Sequence, residues 1–125
     1  MGRDLTVRLG EDRPGELAGV VQALTQAGIN IEGLAEFDGA VHLLAHNVTA
    51  ARGALRTAGY AIEAEREVVV IPMPDRPGEL AMTMRRLAEA GVNVRFVYLA
   101  TQTRVVIGAD DVMKARAAVE GNQPN

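Results

Sequence analysis

The sequence predicts an α+β fold of two consecutive βαββαβ units, the second of which lacks its last strand. Three observations support this prediction. One segment of the sequence occurs twice, the hydrophobic pattern around both copies gives the same order of strands and helices, and the 125 residues suffice for two units of about 60 residues each. We therefore expect two small domains, at residues 1–66 and 67–125.

The repeated segment is Asp12–Ala18, which recurs letter for letter as Asp75–Ala81, 63 positions later. The likeness continues along the chain. Leu24, Ala27, Gly28 and Asn30 return as Leu87, Ala90, Gly91 and Asn93. Because twice this offset nearly equals the chain length, we interpret the repeat as a duplication of the whole unit rather than of a short motif.

Each element of the first unit follows from a local pattern. Apolar residues that alternate with polar ones over Leu5–Leu9 predict a strand with one buried face. Pro14 suits the first turn of a helix, with Asp12 upstream to accept from free N–H groups and Glu16 at the positive end of the helix dipole. The later elements are an apolar helical stripe from Leu17 to Leu24 ended by Gly28, a strand from Ile29, an Asp38–Gly39 hairpin, a strand over Val41–Ala45, a helix over Thr49–Ala58 and a strand over Ala61–Glu67.

The second unit repeats this order and then stops early. Its predicted elements are a strand over Val68–Met73, a helix over Pro77–Ala90, strands over Val92–Ala100 and Arg104–Gly108, and a helix over Asp110–Val119. Only the polar residues Glu120–Asn125 remain, too few for a buried fourth strand. In the strand order 4-1-3-2 the missing strand would cover the edge at Val68–Ile71, which is apolar on both faces. We expect a neighbouring element or a second copy of the chain to cover that edge.

Composition excludes several classes of function. The 13 basic and 16 acidic side chains leave a net charge of −3, and the arginines are scattered, which argues against nucleic-acid binding. Cysteine and serine are both absent, so disulfides, thiolate metal sites and cysteine or serine nucleophiles are impossible. His42 and His46 share one strand face without a third ligand nearby, so we expect neither a metal nor another cofactor.

Further expectations concern catalysis and location. The carboxylates Glu11, Asp12 and Glu16 lie close in sequence, but nothing apolar surrounds them as acid–base catalysis would require, so we do not expect an enzyme. No run approaches the roughly 18 apolar residues that span a bilayer, and the first residues lack the apolar stretch of a signal peptide. We therefore expect a cytoplasmic protein without membrane contact.

The repeated motif is similar to that of a known family. An Asp-x-Pro-Gly-x-Leu segment after a strand, with Gly-x-Asn at the end of the following helix, resembles the ACT domain, the amino-acid-sensing module of phosphoglycerate dehydrogenase and other regulated enzymes. Here the motif occurs twice and the resemblance covers nearly all 125 residues. The resemblance implies ferredoxin-like units. The chain as a whole resembles stand-alone tandem ACT proteins that carry no catalytic domain.

The resemblance also implies a ligand site beside the loop between the first strand and the first helix, at an interface between modules or in a homodimer. In the serine-binding members, two residues contact the effector: an acid or amide before Pro-Gly, and an Asn at the second strand. They correspond to Asp12 with Asn30 in the first unit and to Asp75 with Asn93 in the second. The candidate ligand-binding residues are Asp12, Arg13, Pro14, Gly15, Glu16, Asn30 and Ile31 in the first unit, and Asp75, Arg76, Pro77, Gly78, Glu79, Asn93 and Val94 in the second.

The chemistry of a helix start agrees with such a site, although it also has a simpler interpretation. Free N–H groups and the helix dipole favour a carboxylate, and glycine lets a ligand approach the backbone. Asp-x-Pro-Gly is equally good chemistry for starting a helix, and Asn30 would also suit the turn into the second strand. The histidine of the family's serine site is replaced by Gly10 and Met73, so we do not expect a serine-type pocket.

The function predicted from these observations is a regulatory protein that binds a small amino acid. The alternative is a non-catalytic interaction subunit that has no ligand of its own and regulates a separate metabolic enzyme, as the small subunit of acetolactate synthase does. In either case we expect a homo-oligomer, and the two potential sites need not be equivalent because Ile31 and the residues after it differ from Val94 and those that follow it.

Overall fold

The computed structural model of the chain describes residues 2–11 and 13–120. Over these residues the fold is α+β, with four helices and six strands. The elements in chain order are β1 Gly2–Arg8, α1 Glu16–Gln26, β2 Ile31–Phe37, β3 Ala40–Ala45, α2 Val48–Thr57, β4 Ile62–Pro72, α3 Glu79–Glu89, β5 Val94–Ala100, β6 Arg104–Ala109 and α4 Val112–Glu120. None of the described helices is long and apolar enough to cross a membrane.

The chain divides into two compact units, an N-terminal unit over Arg3–Arg66 and a C-terminal unit that begins at Glu67. Strand β4 contributes residues to both. The sequence predicted two separate strands here, Ala61–Glu67 and Val68–Met73, whereas the structure has one strand of 11 residues. The reason is local: no glycine or proline interrupts the chain before Pro72, so nothing breaks the extended backbone between them.

In the N-terminal unit β3 is flanked by β1 and β2, both antiparallel to it. Leu5 and Val7 of β1 and Val41 and Leu43 of β3 are fully buried or nearly so, and they pack against apolar residues of α1 and α2. The start of β4 is tied to this unit by ion pairs. Glu65 accepts from Arg52 of α2 at 2.8 Å and lies 3.4 Å from Arg3, while Glu63 lies 3.2 Å from Arg8.

The C-terminal unit has the corresponding arrangement. Strand β6 is flanked by β4 and β5, again antiparallel. A second core forms beneath α3 and α4, and its buried residues are Val69, Ile71, Leu87, Val92, Val105, Ile107, Ala115 and Val119. The predicted absence of a last strand concerns Glu120–Asn125. Glu120 ends α4, and Gly121–Asn125 lie outside the described residues, as do Met1 and Asp12.

The strand registers show that the offset between the two units is not constant. The pair Val7 and Val41 in the first sheet corresponds to Ile71 and Val105 in the second, an offset of 64. The helix starts Gly15 and Gly78 differ by 63. The loop before α1 is therefore one residue longer than the loop before α3, and Met73 corresponds to Leu9 rather than to Gly10, which corrects the equivalence taken from the sequence.

The hairpins compensate for this difference. Two residues, Asp38 and Gly39, join β2 to β3, whereas three residues, 101–103, join β5 to β6. Each hairpin lies next to the loop before the helix, since the N–H of Leu9 donates to the Gly39 carbonyl at 2.8 Å and the N–H of Met73 donates to the Thr103 carbonyl at 2.7 Å. A longer loop thus faces a shorter hairpin in the first unit, and the reverse holds in the second.

Candidate functional site

A cleft of about 640 Å³ opens at the start of α1 in the N-terminal unit. Three segments form its walls: the loop after β1, the first turn of α1, and the hairpin between β2 and β3. Its lining residues are Leu9, Gly10, Glu11, Arg13, Gly15, Glu16, Leu17, Ala18, Glu36, Asp38 and Gly39. Three predicted site residues, Arg13, Gly15 and Glu16, therefore line one cleft.

The first turn of α1 presents backbone donors at this cleft. The sequence predicted that Pro14 would lie in the first helical turn, but the helix begins at Glu16 and Gly15 precedes it with φ 92°. This left-handed conformation is easy for glycine and strained for other residues, so the helix starts after it. Gly15 has no side chain to cap the helix, and the first N–H groups of a helix have no partner within it. These groups can hold an anion such as a carboxylate.

The side chains around the cleft are mostly acidic. Four of its lining residues are acidic, Glu11, Glu16, Glu36 and Asp38, and one is basic, Arg13. Arg13 lies 2.9 Å from Glu11 and 3.7 Å from Glu16, so it is bound within the loop and first turn. The cleft therefore combines backbone donors at the helix start with an excess of negative charge, and two of its acidic residues, Glu36 and Asp38, lie in β2 and the hairpin.

The start of α3 has the same backbone but different surroundings. Gly78 precedes the helix with φ 92°, like Gly15. The guanidinium of Arg76 donates to Glu79 through two nitrogens, one at 3.0 Å, and closes an ion pair across the first turn. The exposed residues at this helix start include the remaining predicted site residues Asp75 and Pro77.

Asn30 and Ile31 lie far from the cleft within their unit. They line a second, shallower depression of about 450 Å³ together with Thr25, Gly28 and Ile29, at the opposite end of α1. An 11-residue helix is roughly 16 Å long, so one amino acid cannot contact Gly15 and Asn30 of the same unit. The Asn30 carbonyl accepts from the N–H of His46 at 3.3 Å, and the Asn93 carbonyl accepts from the N–H of Asp110, also at 3.3 Å. Val94 opens β5 as Ile31 opens β2.

Asp12, which the sequence singled out with Asn30, lies outside the described residues. Its two neighbours in the loop, Glu11 and Arg13, are both exposed. Its role as a ligand contact stays a prediction from the sequence.

A buried polar cluster of Asp4, Thr6 and His42 was not predicted. It lies on the sheet face opposite the helices, because Leu5 and Val7 occupy the other face. Asp4 is fully buried and accepts from the Thr6 hydroxyl at 2.9 Å, while His42 Nδ1 lies 3.1 Å from the same carboxylate.

The strand registers show that this cluster has no counterpart in the C-terminal unit. With the sheet offset of 64, the three positions correspond to Val68, Val70 and Val106, all valine. A fold that forms with valines at these positions does not need a carboxylate and an imidazole there. The cluster is therefore specific to the N-terminal unit.

The two histidines occupy different environments. His42 is four-fifths buried beside Asp4, whereas His46 is exposed and its Nδ1 lies 3.4 Å from Glu32. Within residues 2–11 and 13–120 no three His, Asp or Glu side chains are placed to hold a metal ion together.

The fold is similar to solved structures over nearly the whole chain. A protein from Bacteroides thetaiotaomicron matches with a TM-score of 0.81 and 26% identity, over 96% of this chain and 87% of that one. The ligand-free regulatory subunit of aspartate kinase from Thermus thermophilus matches with a TM-score of 0.68 and 22% identity, over 99% of this chain and 93% of that one.

The regulatory subunit of aspartate kinase from Thermus flavus matches with a TM-score of 0.63 and 18% identity, over 95% of this chain and 90% of that one. The chain therefore has the fold of these regulatory subunits. No protein-family model matches the sequence, and no curated protein matches it significantly.

Proposed function

We propose that the chain is a non-catalytic regulatory protein of the ACT type, built of two ferredoxin-like domains at 1–66 and 67–125, that binds a small amino acid. The cleft at the start of α1 carries this proposal. It brings together helix N–H groups, which suit an α-carboxylate, and the acidic residues Glu36 and Asp38, which suit an ammonium group. The similarity in fold to regulatory subunits of aspartate kinase supports a regulatory rather than a catalytic role.

The predicted contribution of Asn30 requires a second copy of the chain. Since Asn30 lies at the far end of α1 from the cleft, a ligand that contacts both Gly15 and Asn30 takes them from different modules. We propose a homodimer in which Asn30 of one copy reaches the ligand in the cleft of the other. Ligand binding would then stabilise the dimer, and the oligomeric state would report the concentration of the amino acid.

Thermal denaturation in the presence of each of the twenty amino acids tests the binding proposal. An amino acid at 100 times its dissociation constant raises the free energy of unfolding by about 2.7 kcal/mol. Arg13→Ala should reduce this effect, because it leaves Glu11 and Glu16 uncompensated beside the helix N–H groups that would hold the ligand's carboxylate. A screen in which no amino acid raises the unfolding temperature would refute the proposal.

Asn30→Ala separates the two parts of the proposal. If the homodimer completes the site, this variant weakens ligand binding and the ligand no longer promotes dimerisation in analytical ultracentrifugation. If binding is unchanged, the ligand is held by the cleft of one unit alone, and the dimer part of the proposal is wrong.

An interaction subunit without a ligand is the second candidate. Several large apolar side chains are exposed, among them Phe37 at 80%, Leu99 at 61% and Met113 at 61%. Exposed apolar groups of this size suit contact with a partner protein. This candidate would be favoured if a catalytic chain co-purifies from the native host and no amino acid raises the unfolding temperature.

A further inference from the structure

The two helix starts can be compared position by position because they are copies of one unit. Residues Gly15–Ala18 correspond to Gly78–Ala81 and are identical in sequence. The backbone is also the same, with φ 92° and ψ −9° at Gly15 and φ 92° and ψ −14° at Gly78. Any difference in ligand binding must therefore come from the residues around the motif.

Those surrounding residues differ in charge. Glu36 precedes the last residue of β2, and Leu99 holds the same place in β5, where it is 61% exposed. The hairpin residue Asp38 is replaced by the Thr101–Thr103 turn, where the Arg104 guanidinium donates to the Thr101 carbonyl at 2.9 Å. The acidic residues Glu36 and Asp38 of the N-terminal unit thus have no acidic counterpart in the C-terminal unit.

The loops differ as well. The loop before α3 is one residue shorter and contains Pro74, whereas the loop before α1 contains Gly10 and the acidic Glu11. Of the two carboxylates at the second start, Asp75 is exposed in the loop, and Glu79 accepts from two nitrogens of Arg76. Arg13 and Glu16 form the corresponding pair at the first start, so the difference lies on the hairpin side, where the exposed Leu99 stands in place of Glu36.

We infer that only the N-terminal unit binds the amino acid, one molecule per chain, and that Glu36 and Asp38 determine which of the two copies of the motif is the site. This inference rests on the proposed function. The C-terminal copy keeps the helix start as a structural element, while its hairpin and loop have lost the groups that complete a zwitterion site. The identical motif at Asp75–Ala81 is therefore not a second binding site.

A matched pair of variants tests the inference. Ala18 and Ala81 are equivalent and both exposed on the first turn of their helices, so arginine is tolerated at either position. Ala18→Arg places a guanidinium in the acidic cleft, where it competes with the ligand's ammonium. Isothermal titration with the amino acid that gives the largest thermal shift should show one site per wild-type chain. Its affinity should fall by about tenfold or more in Ala18→Arg and stay within about twofold in Ala81→Arg.

The outcomes separate this inference from the proposed function. Two equivalents of ligand per chain, or loss of binding in Ala81→Arg with binding retained in Ala18→Arg, would overturn the inference and leave amino-acid binding intact. If none of the twenty amino acids raises the unfolding temperature, the proposed function and the inference are both wrong. Circular dichroism and the unfolding temperature of both variants confirm that neither arginine disturbs the fold.

Discussion

The cluster of Asp4, Thr6 and His42 yields a prediction about stability, for which the C-terminal sheet of the same chain serves as the reference. Replacing all three residues by valine gives the N-terminal sheet the residues of the C-terminal one, since the corresponding positions are Val68, Val70 and Val106. We expect this triple variant to fold with unchanged or greater stability. Exchanging both partners of a buried hydrogen-bonded pair for apolar groups of similar shape is commonly nearly neutral or stabilising.

The single variants should behave in the opposite way. His42→Val leaves the fully buried Asp4 carboxylate without the imidazole 3.1 Å away, with only the Thr6 hydroxyl among these three residues to donate to it. Removing one partner of a buried pair costs about 3 kcal/mol or more. For a chain of this size that corresponds to a fall of about 10 °C in unfolding temperature.

Urea denaturation of the wild type, the two single variants Asp4→Val and His42→Val, and the triple variant measures these effects. The single losses should not add, because the triple variant removes the whole cluster rather than one partner. A triple variant that is less stable than His42→Val would refute the reasoning, since it would show that the cluster stabilises the fold instead of being tolerated by it.

Three further predictions follow from other features. Gly15→Ala and Gly78→Ala should each lower the free energy of unfolding by about 1 kcal/mol, because both glycines have φ 92°; unequal losses in thermal unfolding would contradict the equivalence of the two helix starts. Gly108→Ala should cost about 2 kcal/mol, since its new Cβ would meet the Phe96 ring, which is packed against Gly108; unchanged stability in urea would contradict this packing. L-lysine should bind more tightly than L-norleucine, which lacks only the side-chain ammonium, because the cleft is rich in carboxylates; calorimetry showing equal affinities would contradict the role of charge.

The order of elements could be predicted because each signal is local. Alternating apolar residues in β1, the apolar stripe of α1 and the glycines at Gly28 and Gly39 act over a few residues, and the structure has each element at or near its predicted place. The exact start of α1 was harder to predict. Proline and glycine both suit the beginning of a helix, and only the backbone angle shows that Gly15 stands outside it.

The polar cluster could not be recognised from β1 alone. Asp4 and Thr6 alternate with Leu5 and Val7, a pattern that indicates a strand with one face in water. In the structure both polar residues are buried, and the imidazole that pairs with Asp4 comes from β3, which lies 38 residues away in the sequence. Burial of the polar face is a tertiary property that the periodicity of one strand does not contain.

The position of the candidate site also depends on what lies outside the repeated motif. The identical residues Asp12–Ala18 and Asp75–Ala81 made both copies candidates, because a letter-for-letter match fixes the alignment at the helix start. The strand registers show a different offset, and the one-residue changes in loop and hairpin lie where the alignment has no identical residues to anchor it. Since the motif builds the same helix start twice, it explains the fold of both units. The acidic hairpin, present in only one of them, is what a zwitterionic ligand would distinguish.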